Sequence, residues 1–361
     1  MSDAAPKAVS FFATKKGKII VGSSVGLVLL GLALGLGLGL GLPSSKSGKL
    51  GGGAGGNDIA AGDVEKKINY GGKPDGAPVP SVADFKSLKM DLLTELKLSG
   101  TQTGAHWLRL AFHDVASFDG ADGLGKFDAS LQFQPERGFK LNAGLEEGIM
   151  QIQKIYDAKY KATGMSLADA WALAAAATVE SFTGSVVRYR GGRVDAKATD
   201  KVAPEARITD GDATLPAVEA QAARLGYTTQ EFFTLISFGH SIGNAHPTVS
   251  GWDGHFTSSK ESDFLDMGSW LTETVGNHWT EITTAAGKKQ FEAMWLDIDW
   301  TVIRFPVDFL IRSLPTEMRL YFNDLKMKPR SETANIAAPL VARMLEIGCD
   351  KKAMSDYIFG M

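Results

Sequence analysis

The stretch Trp107-Leu-Arg-Leu-Ala-Phe-His-Asp114 sets two strongly polar side chains on an otherwise apolar face. Arg109 and His113 are four residues apart, so on a helix they lie on one side, a turn from each other. Burying a guanidinium beside an imidazole is costly unless both find partners. Taken alone, an interfacial arginine next to a core histidine is the better account. A functional reading needs a second site.

That second site is Leu235-Ile-Ser-Phe-Gly-His-Ser-Ile-Gly243. His240 follows an apolar helix whose start is marked by Thr228 and Glu231, a capping-box pair. A histidine presented from a buried helix end suits axial ligation of haem iron, although by itself such a residue is more often structural.

Around these two stretches the dominant period is helical. Val82, Phe85, Leu88, Leu92 and Leu96 form one stripe, with Ser81 as N-cap and Asp84 in the first turn. Further helices are expected over 104–115, 141–160, 166–182, 215–225 and 228–238. A late one is expected over 339–347, with Pro339 in its first turn and Gly348 as its stop. Few segments alternate with period two, so the expected class is all-α.

The 361 residues, 44% of them apolar, suffice for one large domain or two modest lobes. A net charge of -3 gives no reason to expect a nucleic-acid partner. The single cysteine, Cys349, rules out intramolecular disulfides and a zinc cluster. Residues 19–42 are an unbroken run of apolar and small residues, longer than the roughly 20 needed to span a bilayer. Lys7, Lys15, Lys16 and Lys18 precede it, so a membrane helix would leave residues 1–18 as a short basic cytosolic tail and the catalytic domain on the non-cytosolic side. A cleaved signal peptide is the other reading. Residues 43–79, rich in Gly and Ser near their start, read as a flexible linker. The domain follows at 80–350.

Taken together and in this order, the two stretches resemble the plant-type haem peroxidase superfamily. Arg-Leu-Ala-Phe-His-Asp is similar to its distal motif and Gly-His-Ser-Ile-Gly to its proximal one. Leu141-Asn-Ala-Gly-Leu145, Ser166-Leu-Ala-Asp-Ala-Trp-Ala-Leu173 and Gly192-Arg-Val-Asp-Ala196 resemble elements between them, the last typical of class I, the cytochrome c and ascorbate peroxidase-like members. The resemblance implies a two-lobed helical fold, with a distal lobe at 80–200, a proximal lobe at 201–350 and haem b between them. It also implies reduction of hydrogen peroxide, followed by oxidation of small one-electron donors through a ferryl intermediate.

The implied roles are specific. His113 is the base that moves the peroxide proton, Asn142 orients it, and Arg109 stabilises charge developing as the O–O bond breaks. His240 binds iron, and a carboxylate on its other ring nitrogen makes it more basic. Arg304-Phe-Pro-Val-Asp308 resembles the element supplying that carboxylate, with Asp299 in Leu296-Asp-Ile-Asp299 as the competitor. Asp114, Asp128 and Ser130 resemble side chains of a distal calcium site. Ser241 and Thr257 are candidates for holding a proximal calcium or other cation. Arg193 and Asp195 look like an internal ion pair.

The departures concern the donor. Residues 240–257 are similar without gaps to ascorbate and cytochrome c peroxidases, but Phe256 stands where these have a proximal tryptophan. Val249 replaces the ascorbate-binding arginine, and Phe112 replaces the distal tryptophan. The chain resembles a hybrid: a class I scaffold with class II-like pockets. Small phenolic or related donors are therefore expected. The alternatives are a protein donor reached through Trp252, and a membrane-tethered scaffold that has lost haem.

Overall fold

The computed structural model describes residues 58–68, 70, 76–258, 265–276, 278–293 and 298–360. The expected membrane helix at 19–42 and basic tail at 1–18 lie outside them. Among the described residues, no helix is long and apolar enough to cross a membrane.

Helix α1 (Ala61–Glu65) precedes α2 (Val82–Ser99), where Ser81 and Asp84 form the expected capping box. Helix α3 (Thr101–Val115) carries Arg109 and His113. Helices α4 (Glu146–Ile155) and α5 (Leu167–Thr183) complete the first half, and α2, α3 and α4 all pack on α5. The Ala-rich body of α5 is buried along nearly its whole length, because alanines let neighbouring helices approach from every side. Helices α6 (Leu215–Arg224) and α7 (Thr229–Gly239) follow, and α7 ends at His240. The second half holds α8 (Met267–Gly276), the short α9 (Pro306–Phe309), α10 (Thr316–Leu325) and α11 (Arg330–Met344). Helix α11 packs on both α5 and α7 and so joins the halves.

The helix-rich class is as expected, with two small antiparallel sheets added to the helices. Strands β1 (Asn244–Ala245) and β2 (Gly254–His255) pair antiparallel. Strands β3 (Trp279–Thr283), β4 (Lys289–Ala293) and β5 (Ile303–Arg304) form a second antiparallel sheet. The β3–β4 turn holds Gly287 at φ +78, a conformation glycine adopts without strain. Several expectations are corrected. Helix α4 begins at Glu146 rather than at 141, because the chain first makes a 3-10 turn at Lys140–Asn142 and then passes Gly144 at φ +79. Helix α11 begins at Arg330 with Pro339 in its interior. Its buried Thr333, Ala334, Ala337, Ala338 and Val341 keep the helical spacing through the proline, so packing overrides propensity.

The linker expected over 43–79 is not flexible throughout. Residues 58–68 and Tyr70 fold onto the domain, with Ile68 and Tyr70 buried. The Ile68 N–H donates to the Pro80 carbonyl and the Val82 N–H to that of Lys66. Lys86 binds Asp63 at 2.8 Å. The Tyr70 hydroxyl donates to Asp169, the buried hub of this half. Asp169 takes the Arg193 guanidinium at 2.8 Å and the Gly192 N–H at 2.9 Å. The expected Arg193–Asp195 pair therefore does not form. Asp195 instead accepts the N–H groups of Leu167 and Ala168 at the N-terminus of α5, where a carboxylate is favoured.

Candidate active site

His113 leaves the last turn of α3 with its Nδ1 2.9 Å from Asn142 Oδ1. The Asn142 amide cannot turn over, because its Nδ2 donates to the Glu136 carbonyl at 2.9 Å. The proton on a neutral His113 therefore sits on Nδ1, and Nε2 keeps its lone pair. Burial and the Arg109 charge push the His113 imidazole down to about 3, so it stays neutral across the ordinary pH range. The Arg109 guanidinium is anchored by the carbonyls of Ala143 and Leu141, each at 2.9 Å. Burial lowers it to about 10, which leaves it charged at neutral pH. The 3-10 turn Lys140–Asn142 thus holds both residues of the pair. Phe112 stands edge-on to His113 at 5.9 Å.

His240 caps α7, and its Nδ1 lies 2.8 Å from Asp308 Oδ1. The second Asp308 oxygen accepts the Phe305 N–H at 2.8 Å, fixing the carboxylate. Asp308, not Asp299, is the carboxylate at His240. Its side chain is 0% exposed while that of His240 is 30% exposed, so the imidazole is tied on one edge and open on the other. Phe256 stacks on it at 5.5 Å with planes 9° apart, and Phe305 meets it edge-on at 5.4 Å. His240 ends α7, which packs against α3, the helix that carries His113. Each of the two histidines has Nδ1 taken by a protein oxygen.

This donor set fits haem. An imidazole whose Nδ1 is hydrogen-bonded to a buried carboxylate is the kind of ligand that would hold haem iron.

The expected cation residues fare unequally. Asp114 Oδ2 accepts the N–H groups of Asp128 and Ala129, and Asp128 Oδ1 that of Ser130. Asp114 Oδ1, Ser130 Oγ and Glu136 Oε1 are buried with no hydrogen-bond partner among the described residues. Burial and the neighbouring Asp128 and Glu136 carboxylates hold Asp114 well above the usual carboxylate range, and burial raises Asp128 to about 6 and Glu136 to about 7. Among the described residues, no three His, Cys, Asp or Glu side chains are disposed around a ready metal site. On the proximal side the Ser241 hydroxyl donates to the Phe238 carbonyl at 2.7 Å, and the Thr257 carbonyl accepts from Trp300 at 3.1 Å. Each of these two has its own partner.

Sequence reasoning missed Phe305, Glu136 and Glu205. Phe305 lies inside the quoted Arg304–Asp308 stretch, and its place before the carboxylate is a usable signal. Glu136 acts through its main-chain carbonyl, which no residue type announces.

Fold and site together define a helical protein with two histidines on packed helices, one backed by a carboxylate and one beside an arginine. The protein-family model described as peroxidase matches residues 89–285, more than half of the chain. The chain belongs to the peroxidase family. It is similar to the "Putative heme-binding peroxidase" of Yarrowia lipolytica, 30% identical over 51% of this chain and 60% of the relative. It is similar to the protein of that name from Aspergillus fumigatus, 29% identical over 64% and 72%. A mitochondrial cytochrome c peroxidase of Candida albicans is 28% identical over 59% of this chain and 57% of its own length. The chain thus spans about 60% of the first of these relatives.

Proposed function

We propose that this protein is a haem peroxidase, reducing hydrogen peroxide to water with electrons taken one at a time from a donor. The observation that carries this reading is the pair His113 and His240, on the packed helices α3 and α7, with Nδ1 of the first held by Asn142 and Nδ1 of the second by Asp308. Haem held by His240 would supply the redox chemistry. His113 Nε2 accepts a proton from one peroxide oxygen and returns it to the departing one. Asn142 keeps the proton on His113 Nδ1 throughout. The Arg109 guanidinium supplies fixed positive charge to the departing oxygen, and Asp308 keeps the His240 ring oriented and electron-rich.

The donor is a small one-electron reductant. Val249 packs its methyl groups against Gly144, so an apolar contact stands where an anionic donor would need a cation. A second reading has its own observation. Trp252 is buried at 4.5 Å from Phe305, which touches His240, and carries the Lys288 ammonium 4.5 Å above its ring. This chain of rings could serve a protein donor. Trp252→Phe separates the two readings: loss of turnover with a protein donor, and not with a phenol, selects the second.

The orphaned oxygens of Asp114, Ser130 and Glu136 support a calcium or similar cation beside the distal turn, which calorimetric titration of chelator-treated protein with calcium would detect. The apolar run at 19–42 supports a membrane anchor with the domain on the non-cytosolic side, and protease protection in vesicles tests that. The reading as a whole is tested by the absorption spectrum of the full chain supplied with haem. A Soret band that responds to peroxide and is lost in His240→Ala is expected. A colourless protein would overturn the enzyme reading and leave a haem-free scaffold.

A further inference from the structure

The turn that holds Arg109 and His113 is also clamped by a side chain from further along the chain. The Leu141 N–H donates to Glu205 Oε1 at 3.1 Å, across 64 residues of sequence. Leu141 is also the residue whose carbonyl receives the Arg109 guanidinium, and Asn142, next to it, holds His113. Glu205 opens a single 3-10 turn, Glu205–Arg207, that is itself braced. Arg207 makes a two-pronged contact with Asp122, at 2.6 and 3.1 Å, and lies 3.8 Å from Asp119. Arg224 on α6 donates to the Arg207 carbonyl and, at 2.6 Å, to that of Phe118. The loop 117–125 that follows α3 is therefore tied through Arg207 to the turn carrying Glu205.

We infer that Glu205 is a positioning residue for the distal pair. It acts through the Leu141 peptide and is backed by the 117–125 loop. An unclamped 3-10 turn has few hydrogen bonds of its own. If the backbone at Leu141 shifts, the Leu141 carbonyl that anchors Arg109 and the neighbouring Asn142 side chain that anchors His113 shift with it. Displacements near an ångström at such groups can cost about 100-fold in rate. The carboxylate is used as a hydrogen-bond acceptor, so an amide oxygen in its place should serve.

The inference rests on the peroxidase reading, and the test keeps the two apart. In the haem-loaded full chain, Glu205→Ala should lower kcat/KM for peroxide about 10-fold and leave kcat/KM for the donor unchanged. Glu205→Gln should restore the peroxide value. Amide hydrogen exchange across 139–145, followed by mass spectrometry, should quicken in Glu205→Ala and not in Glu205→Gln. If the alanine variant loses haem, Glu205→Asp, with its shorter reach, is expected to show the same peroxide loss and faster exchange. Unchanged exchange and unchanged peroxide kinetics in the alanine variant would overturn the inference, as would an equal loss in Glu205→Gln. A wild-type protein inert to peroxide would overturn the peroxidase reading alone, since the exchange comparison does not depend on turnover.

Discussion

His113 owes its chemistry to two neighbours. Asn142 decides which nitrogen carries the proton, and the enclosed pocket with Arg109 decides that only one proton is carried. Because the folded value near 3 lies below histidine's ordinary 6.5, the unfolded chain takes up a proton first as pH falls. The stability contributed by neutral His113 is full above about 6.5 and is lost as pH falls toward 3. The same shift keeps the base active in mild acid. The expected pH profile of kcat/KM for peroxide is flat from pH 8 to about 5, measured at fixed ionic strength. A decline with a midpoint near 6.5 would show that His113 titrates as a free imidazole.

At the level of elements, the approach to α4 shows how backbone conformation serves the site. Gly144 sits at φ +79, and a Cβ there would lie 2.5 Å from Val249 Cγ1. Both the left-handed backbone and the close contact require glycine. Gly144→Ala is expected to cost about 1–3 kcal/mol in chemical denaturation. It should also weaken the peroxide reaction, because Ala143 next door holds Arg109. The same peptide region explains why the helix expected from 141 starts five residues later. Its apolar residues keep helical spacing, but the chain is needed there as a turn whose carbonyls face the site. The β3–β4 hairpin was hard to read for a related reason: its strands are short and largely exposed, so their alternation is weak.

For the whole molecule, the most consequential contact is between the segment before the domain and its centre. Tyr70 reaches Asp169, which also holds Arg193 and the start of the 192–193 stretch, and Tyr189 donates to the Asp169 carbonyl at 2.9 Å. The far end of the chain returns to the same place, with Phe359 against Tyr189 at 6.0 Å. Removing the Tyr70 hydroxyl leaves a buried carboxylate with one partner fewer. Tyr70→Phe should cost about 1–3 kcal/mol. A chain starting at residue 76 should melt several degrees below one starting at 57, which differential scanning calorimetry would measure. Equal midpoints would mean that the segment adds nothing to the domain.

What depends on local order was legible from the order of residues alone. The helical stripes, the caps at Ser81 and Thr228, and the Arg109–His113 spacing are properties of neighbouring residues, and short-range geometry turns them directly into structure. The family resemblance also pointed to His240 and Asn142, and to Asp308 with Asp299 as competitor, because those motifs are contiguous stretches. Which oxygen meets which nitrogen became readable in the folded chain alone: Asp308 rather than Asp299 on His240, Asp169 rather than Asp195 on Arg193, and Glu205 on Leu141. Those choices join residues 24 to 68 positions apart. They are made when the folded backbone brings distant residues together, and at the buried Arg193 the cost of an unpaired charge favours Asp169.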